Sequence, residues 1–332
     1  MSDIAQRVGV SRVAVSYALN GRPGVSEDLR ERVRVVAEEL GFSAHGPAVA
    51  LHGAASSVIG LTLLRTSAAF SIEVFRRQLI SGIQMELSAR RFGLALQFVG
   101  GVDDEIAVYR RWHAERRVDG VILCDLRQDD PRIPAVRELG LPAVVVGGTG
   151  EIPGLANLWT DERAAAGKVA GYLASLGHRR VVRVTGPADM LHTQARTAAL
   201  DAATQPFGMS VSVLAADDTG EAAAQATRRI LSSPRRPTAI VYDNDLMALA
   251  GLGVTAEMHI SVPRELSILA WEDSPLCQAV HPALTVLQRS ITDYGARTAR
   301  LLFEWLDGRP PRSVRYANAT LIARDSTAAA AG

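Results

Sequence analysis

From Val58 onward, short apolar runs alternate with amphipathic helical stretches, and this alternation constrains the fold more than any other feature. Residues 58–64 read as an apolar strand. Residues 73–91 read as a helix with Phe75, Leu79, Ile83 and Leu87 on one face. A strand over 94–99, a helix over 103–117, a strand over 121–123, a helix over 131–139 and a strand over 143–146 complete a first series. A second series begins after Trp159, with helices over 161–176, 193–203, 221–231 and 245–257. Its strands fall at 181–184, 211–214, 239–242 and 266–270. Strands that alternate with helices imply parallel, doubly wound sheets, and two such series imply two similar α/β lobes. A helix over 291–306 would cross back to the first lobe. A strand pair around 314–316 and 320–322 would tie both lobes together. The small residues of 326–332 read as a disordered tail.

A length of 332 residues exceeds one ordinary domain and allows a sizeable core. No apolar run is long enough to cross a bilayer, and the amino terminus lacks the basic-then-apolar pattern of a secretory signal. A cytoplasmic protein without membrane attachment is therefore expected. Cys124 and Cys277 are the only cysteines, and both lie beside apolar runs, so buried free thiols are expected. Catalytic patterns are scarce: there is no G-x-S-x-G, no phosphate-binding G-x-x-x-x-G-K-[ST], no H-E-x-x-H and no C-x-x-C. The glycines of 147–150 precede Pro153 rather than a helix, and the seven histidines lack ligand spacing. No catalytic residue, metal or cofactor is expected. The pairs Asp103-Asp104, Asp129-Asp130 and Asp217-Asp218 each precede a helix, where capping would explain them.

The first forty residues have a different rhythm. Ile4, Ala5 and Val8 share one face of a short helix, and Gly9 follows where a helix is left through a positive-φ residue. Val10 plugs the turn and Ser11 caps a second helix. In that helix Ala14, Val15, Ala18 and Leu19 face inward, while Arg12, Val13, Ser16, Tyr17 and Asn20 are left outside. This is the pattern of a helix-turn-helix whose second helix suits the DNA major groove. Ser26 caps a third helix running to Leu40, with Leu29, Val33, Val36, Ala37 and Leu40 as its buried stripe and Gly41 as its end. The net charge of +1 does not advertise DNA binding, but Arg7, Arg12 and Arg22 make the first helices locally positive.

The run from Asp3-Ile4-Ala5 through Val8-Gly9-Val10-Ser11 to Val15-Ser16 and Leu19-Asn20 resembles the headpiece of LacI/GalR transcriptional repressors. The resemblance continues through Val25-Ser26, Arg30, Val33 and Glu39-Leu40-Gly41-Phe42, and it extends over almost the whole chain. It implies DNA contacts by Ser11, Arg12, Val13, Ala14, Ser16, Tyr17 and Asn20. Ala14 stands where the family usually has Thr. The family also has residues before the first helix, which here leaves Ser2 to cap it almost at the terminus, as a trimmed start would.

The resemblance divides the chain into a DNA-binding domain over 1–44, a hinge helix and linker over 45–57, and a ligand-binding and dimerisation core over 58–332. Within the core, the first lobe spans about 58–159 and 289–316, and the second about 160–288 and 317–326. Pro47 could open the hinge helix. Leu51 matches a family leucine that wedges into the minor groove, and Val49 replaces a frequent Arg. The core layout resembles periplasmic sugar-binding proteins, in which the ligand lies between lobes at the carboxyl ends of strands.

For the ligand, Arg196 matches a family arginine that holds hydroxyls. Asn244-Asp245 with Met247-Ala248 continues a family N-D-x-M-A pattern; Asn244 can donate and accept, and Asp245 suits a helix start. Trp271 could stack on a sugar face, and Glu272 replaces the usual Asp. Asp125 and Arg127 could line the opposite wall or form an ordinary surface ion pair. Phe70 takes the place of a family aromatic contact. The implied protein is a homodimeric repressor that binds a pseudo-palindromic operator in double-stranded DNA and responds allosterically to a small sugar-like effector. A sugar-binding or sugar-processing protein on the same two-lobed fold is the alternative.

Overall fold

The computed structural model describes residues 1–19, 23–40, 56–64 and 74–330. Asn20, Gly41, the hinge residues 45–55 with Leu51, and Phe70 lie outside the described residues.

Three helices, α1 (Ser2–Val8), α2 (Arg12–Leu19) and α3 (Glu27–Glu39), close around a small core of Ile4, Val15 and Val33, all fully buried. Gly9 leaves α1 at φ 76°, and an added Cβ there would meet nothing, so backbone conformation rather than space calls for glycine. The Ser11 hydroxyl accepts from the Ala14 amide at 3.1 Å and the Ser26 hydroxyl from the Leu29 amide at 3.3 Å, as N-caps do. Arg32 donates to the Val8 carbonyl at 3.0 Å and ties α3 to the end of α1. Two expectations fail here. Ser2 is the first helical residue and Met1 holds the cap position without a side-chain bond. Leu40 lies beyond α3 and is 39% exposed, because the helix ends one residue before it.

The first sheet holds β1 (Val58–Leu64), β2 (Gly93–Val99), β3 (Gly120–Leu123), β4 (Ala143–Val146) and β5 (Ala156–Trp159). The first four are connected through α4 (Val74–Ala89), α5 (Val102–Ala114) and α6 (Arg132–Glu138). The second sheet holds β6 (Arg180–Thr185), β7 (Ser210–Ala215), β8 (Ala239–Tyr242), β9 (Ser267–Ala270) and β10 (Thr285–Gln288). Its helices are α7 (Glu162–Ser175), α8 (Leu191–Thr204), α9 (Gly220–Leu231), α10 (Asp245–Glu257) and the short α11 (Pro275–Ala279). After β10, α12 (Ile291–Leu306) returns to the first lobe. The chain then adds β11 (Ser313–Arg315) beside β5 and β12 (Thr320–Ile322) beside β10.

The strand orders are β11-β5-β4-β3-β1-β2 and β12-β10-β9-β8-β6-β7, each strand parallel to its neighbours except β12, which runs antiparallel to β10. Registers such as Ile59↔Gly120 and Val181↔Ala239 align the central strands. The last two strands do tie the lobes, but by joining different sheets rather than pairing with each other. In the first lobe α12 packs backbone to backbone on α4: a Cβ on Gly82 would overlap the Thr292 carbonyl. The described helices include none long and apolar enough to cross a membrane.

Residues 326–330 are not the disordered tail that their composition suggests. The Ser326 hydroxyl donates to the Ile268 carbonyl at 2.6 Å and accepts from the Thr285 amide at 2.8 Å. The Ile268 amide donates to the Ser326 carbonyl at 2.8 Å, and the Ala330 amide reaches the Leu176 carbonyl at 2.8 Å. Small side chains let this strap lie close against the second sheet. Ser326→Ala should cost about 1–3 kcal/mol, because it orphans buried partners on two strands. Urea unfolding would measure this, and an unchanged midpoint would show the strap to be dispensable.

The acidic pairs are not caps either. The N-cap positions of α5, α6 and α9 are Gly101, Pro131 and Thr219. Asp130 is instead buried against Arg132, at 2.7 Å, and Arg132 also reaches Glu105 at 2.8 Å. Thr62 and Tyr109 complete this enclosed network through Glu105. The two cysteines are free; Cys277 is buried and Cys124 half-buried.

Candidate functional site

On α2 the side chains divide as the helical period requires. Val15 is buried, Arg12 and Val13 are exposed, and Ala14, Ser16 and Tyr17 are half-buried. Val13, 61% exposed, is a large apolar side chain on an otherwise polar face. Such a face can meet base edges, with Arg12 as the fork that suits guanine and Val13 as an apolar contact. Ser11 also lies on this surface, although its hydroxyl is engaged as the cap.

A cleft of about 330 Å³ opens between the lobes. Its walls come from the residues that follow strands: Asp125 after β3, Gly147 after β4, Thr160 and Glu162 after β5, Asp243 and Asn244 after β8, and Glu272 after β9. Both sheets therefore aim their carboxyl ends at it, where the amides of following helices and polar loop residues converge.

Arg196, one turn into α8, is the central cation. It is 7% exposed, with Nε 3.3 Å from Glu162 Oε2 and Nη2 4.0 Å from Glu272 Oε1. Its Nη1 donates to the Asp243 carbonyl at 3.5 Å. Glu162 also accepts from the Thr160 hydroxyl at 2.7 Å and the Trp271 indole at 3.1 Å, and lies 3.7 Å from Arg289 Nη1. Burial alone would raise its pKa, but Arg196, Arg289 and these hydrogen bonds bring the carboxyl down to about 2.

Arg196 Nε and Arg289 Nη2 are buried without a hydrogen-bond partner among the described residues; Glu162 lies 3.3 Å from Arg196 Nε and 3.7 Å from Arg289 Nη1. Such donors are costly unless an oxygen meets them. His192 stands beside them on the cleft wall; burial first, then the Arg196 charge, lowers its pKa and favours the neutral ring. A neutral imidazole offers one donor and one acceptor. Asp125 sits at φ 55° with Arg76 2.8 Å away, and that cation outweighs burial and holds its carboxyl below the usual range. Burial and then Asp125 push the Cys124 thiol up to about 12, so it stays protonated and is a poor nucleophile.

Of the residues expected at this cleft, Arg196, Asn244, Glu272 and Asp125 line it. Asn244 is already committed at both ends: its Oδ1 caps α10 by accepting from the Met247 amide at 2.8 Å, and its Nδ2 donates to the Asp218 carbonyl at 3.4 Å. Trp271 does not line the cleft. It is fully buried, packed among Val169, Leu200 and Leu287, with Arg183 and Arg196 over its ring at 5.7 and 5.8 Å. Both the core and the guanidiniums cover the face that a sugar would need. Arg127 also fails to reach the cleft: its Nε lies 2.7 Å from Asp189, and its backbone bridges Met190 across the lobes. Phe70 falls outside the described residues.

Sequence reasoning missed Glu162, His192, Arg289 and Arg76. Glu162 and Arg289 follow β5 and β10, the two strands also missed, and recognising those strands would have placed both residues at strand ends.

Residues 1–44 match the family model of bacterial regulatory proteins, lacI family, and residues 170–327 match the periplasmic binding protein-like domain. The chain is similar to the HTH-type transcriptional regulator MalR of Streptomyces coelicolor, with 28% identity over 100% of this chain and 97% of that protein. Among solved structures, it resembles a LacI family transcriptional regulator from Bifidobacterium animalis subsp. lactis. That likeness has 36% identity, covers 84% of this chain and 100% of the other, and gives a TM-score of 0.77. It is also similar to the transcriptional regulator CelR in its cellobiose complex, with 26% identity, 97% and 98% coverage, and a TM-score of 0.75.

Proposed function

Because the chain belongs to the LacI family of transcriptional regulators, we propose that it is a homodimeric repressor whose hold on a pseudo-palindromic operator is controlled by a small sugar seated between the lobes. The proposed layout is a DNA-binding domain over 1–44, a hinge over 45–57 and a ligand-binding core over 58–332. Ser11, Arg12, Val13, Ala14, Ser16, Tyr17 and Asn20 would meet the major groove, and Leu51 would enter the minor groove. Two copies related by a two-fold axis would read the two half-sites.

One observation carries the ligand half of this reading: Arg196, Arg289 and the carboxylate-bearing Glu272 line one interlobe cleft. A sugar hydroxyl needs an acceptor for its proton and a donor for its oxygen, and that combination supplies both. The solved complex of CelR with cellobiose supports the same class of ligand. The effector would act by preferring one arrangement of the lobes, and the hinge segments would pass that preference to the headpieces. Operator selection followed by binding titrations with and without cellobiose and other neutral sugars tests the reading. A selection that returned no symmetric motif would remove it.

Arg12 is assigned the guanine contact. Arg12→Ala should cost about 1–3 kcal/mol at one base position in each half-site. Binding measured against operators substituted position by position checks this. Equal weakening on every sequence would make Arg12 a phosphate contact.

A further inference from the structure

We propose that Glu162 sets the charge specificity of the cleft: by occupying Arg196 and Arg289 it reserves the site for uncharged saccharides and shuts out phosphorylated or acidic ones. This rests on the saccharide reading above and narrows it.

Each arginine on the cleft wall, among the described residues, already faces a carboxylate. Arg76 pairs with Asp125 at 2.8 Å. Arg289 lies 3.7 Å from Glu162, and Arg196 lies 3.3 Å from Glu162 and 4.0 Å from Glu272. Asp243, also on the wall, is held from behind by Arg183 at 2.6 Å. Asp217 and Asp218 line the cleft as well. Among the described residues, carboxylates therefore outnumber guanidiniums on this wall, even with Arg183 counted.

Glu162 cannot easily step aside for a competing anion. Thr160 donates to one of its oxygens and Trp271 to the other, and both guanidiniums beside it are nine-tenths buried. Its low pKa keeps it ionised throughout the physiological range. A phosphate or carboxylate on the ligand would have to share Arg196 with this fixed charge, at a like-charge cost. A hydroxyl brings no such conflict: it adds no negative charge beside Glu162, and its proton can go to Glu272 on the same wall. Discrimination here comes from a built-in repulsion as much as from attraction.

The test is calorimetric titration of the full chain with glucose, galactose, cellobiose and maltose, alongside glucose 6-phosphate, galactose 6-phosphate, glucuronic acid and galacturonic acid. The wild type should bind its best neutral sugar at least about tenfold more tightly than the anionic counterpart. Glu162→Gln keeps the shape but removes the charge, and should narrow that gap by about tenfold or more. Glu272→Gln removes the more distant carboxylate and should narrow it by a smaller factor, about threefold; it supplies the comparison if Glu162→Gln does not fold. Wild-type protein that binds an anionic sugar as tightly as its neutral parent overturns the inference and leaves the saccharide reading standing. So does a folded variant that weakens both ligands equally, because Glu162 is then merely structural. If no saccharide of either kind binds, the saccharide reading fails and the inference goes with it.

Discussion

Arg132→Ala is expected to destabilise the first lobe by about 3–5 kcal/mol, the cost of leaving buried charges without their partner. The Arg132 side chain is 3% exposed and bridges Glu105 and Asp130, which are 2% and 0% exposed. It also donates to the Cys124 carbonyl at 3.0 Å and the Asp125 carbonyl at 2.9 Å. One side chain thus satisfies two carboxylates and two backbone oxygens, in a fork that lysine cannot reproduce. The loss should shrink as the pH falls into the carboxylate range. In the wild type, burial opposes ionisation of Asp130 but Arg132 keeps its pKa low. Without the arginine, burial raises that pKa, and a raised folded-state pKa favours the folded state at low pH and disfavours it as pH rises. Urea unfolding at neutral and acidic pH measures both effects. A loss below about 1 kcal/mol would mean that water readily replaces the guanidinium. The consequence extends to the cleft, because Arg132 fixes the loop that carries Asp125 and Leu126, and the Leu126 carbonyl accepts from the Leu191 amide of the other lobe at 2.8 Å.

Arg196→Ala is expected to abolish the effector response while operator binding by the ligand-free protein stays almost intact. An effector shifts operator affinity only through its preference between lobe arrangements, typically about 1–3 kcal/mol. Among the described residues, Arg196 is the one cation that touches Glu162, Glu272 and the Asp243 carbonyl together. Its loss removes a donor and changes the charge of the pocket at once. Glu162 keeps Thr160, Trp271 and Arg289, so the second lobe should stay folded. Fluorescence anisotropy with labelled operator, with and without sugar, separates the two effects. A folded, dimeric variant that no longer binds operator would make Arg196 a structural residue.

The headpiece was legible in detail because its signals are local. Gly9 and Ser11 act on the backbone within a few residues, and the helical period decides which side chains of α2 face outward. Long helices such as α12 were legible for the same reason. The strands β5 and β10 were not. Each has four residues, and β5 buries Asn157 completely, so neither hydrophobic alternation nor an apolar run marks them. Their loss hid Glu162 and Arg289.

The cleft was partly legible. Arg196, Asn244, Glu272 and Asp125 follow recognisable strands or stand early in a helix, and a doubly wound sheet brings those places together. Whether a side chain at such a place points outward is a tertiary matter. Trp271 turns into the core because Val169, Leu200 and Leu287 make a slot for it, and Arg127 turns to Asp189 on the other lobe. Residues 326–330 show the same limit: a composition of Ser, Thr and Ala carries no apolar signal, yet buried backbone partners on β9 and near β10 hold it.

Occupancy of the interlobe cleft is expected to change operator affinity. The most direct measurement titrates the full-length protein against its selected palindromic operator, at fixed salt, with and without saturating neutral mono- and disaccharides. At least one sugar should shift the dissociation constant by about five- to 150-fold, and the same sugar should bind the free protein. A sugar that binds the cleft tightly yet leaves operator affinity unchanged would contradict it.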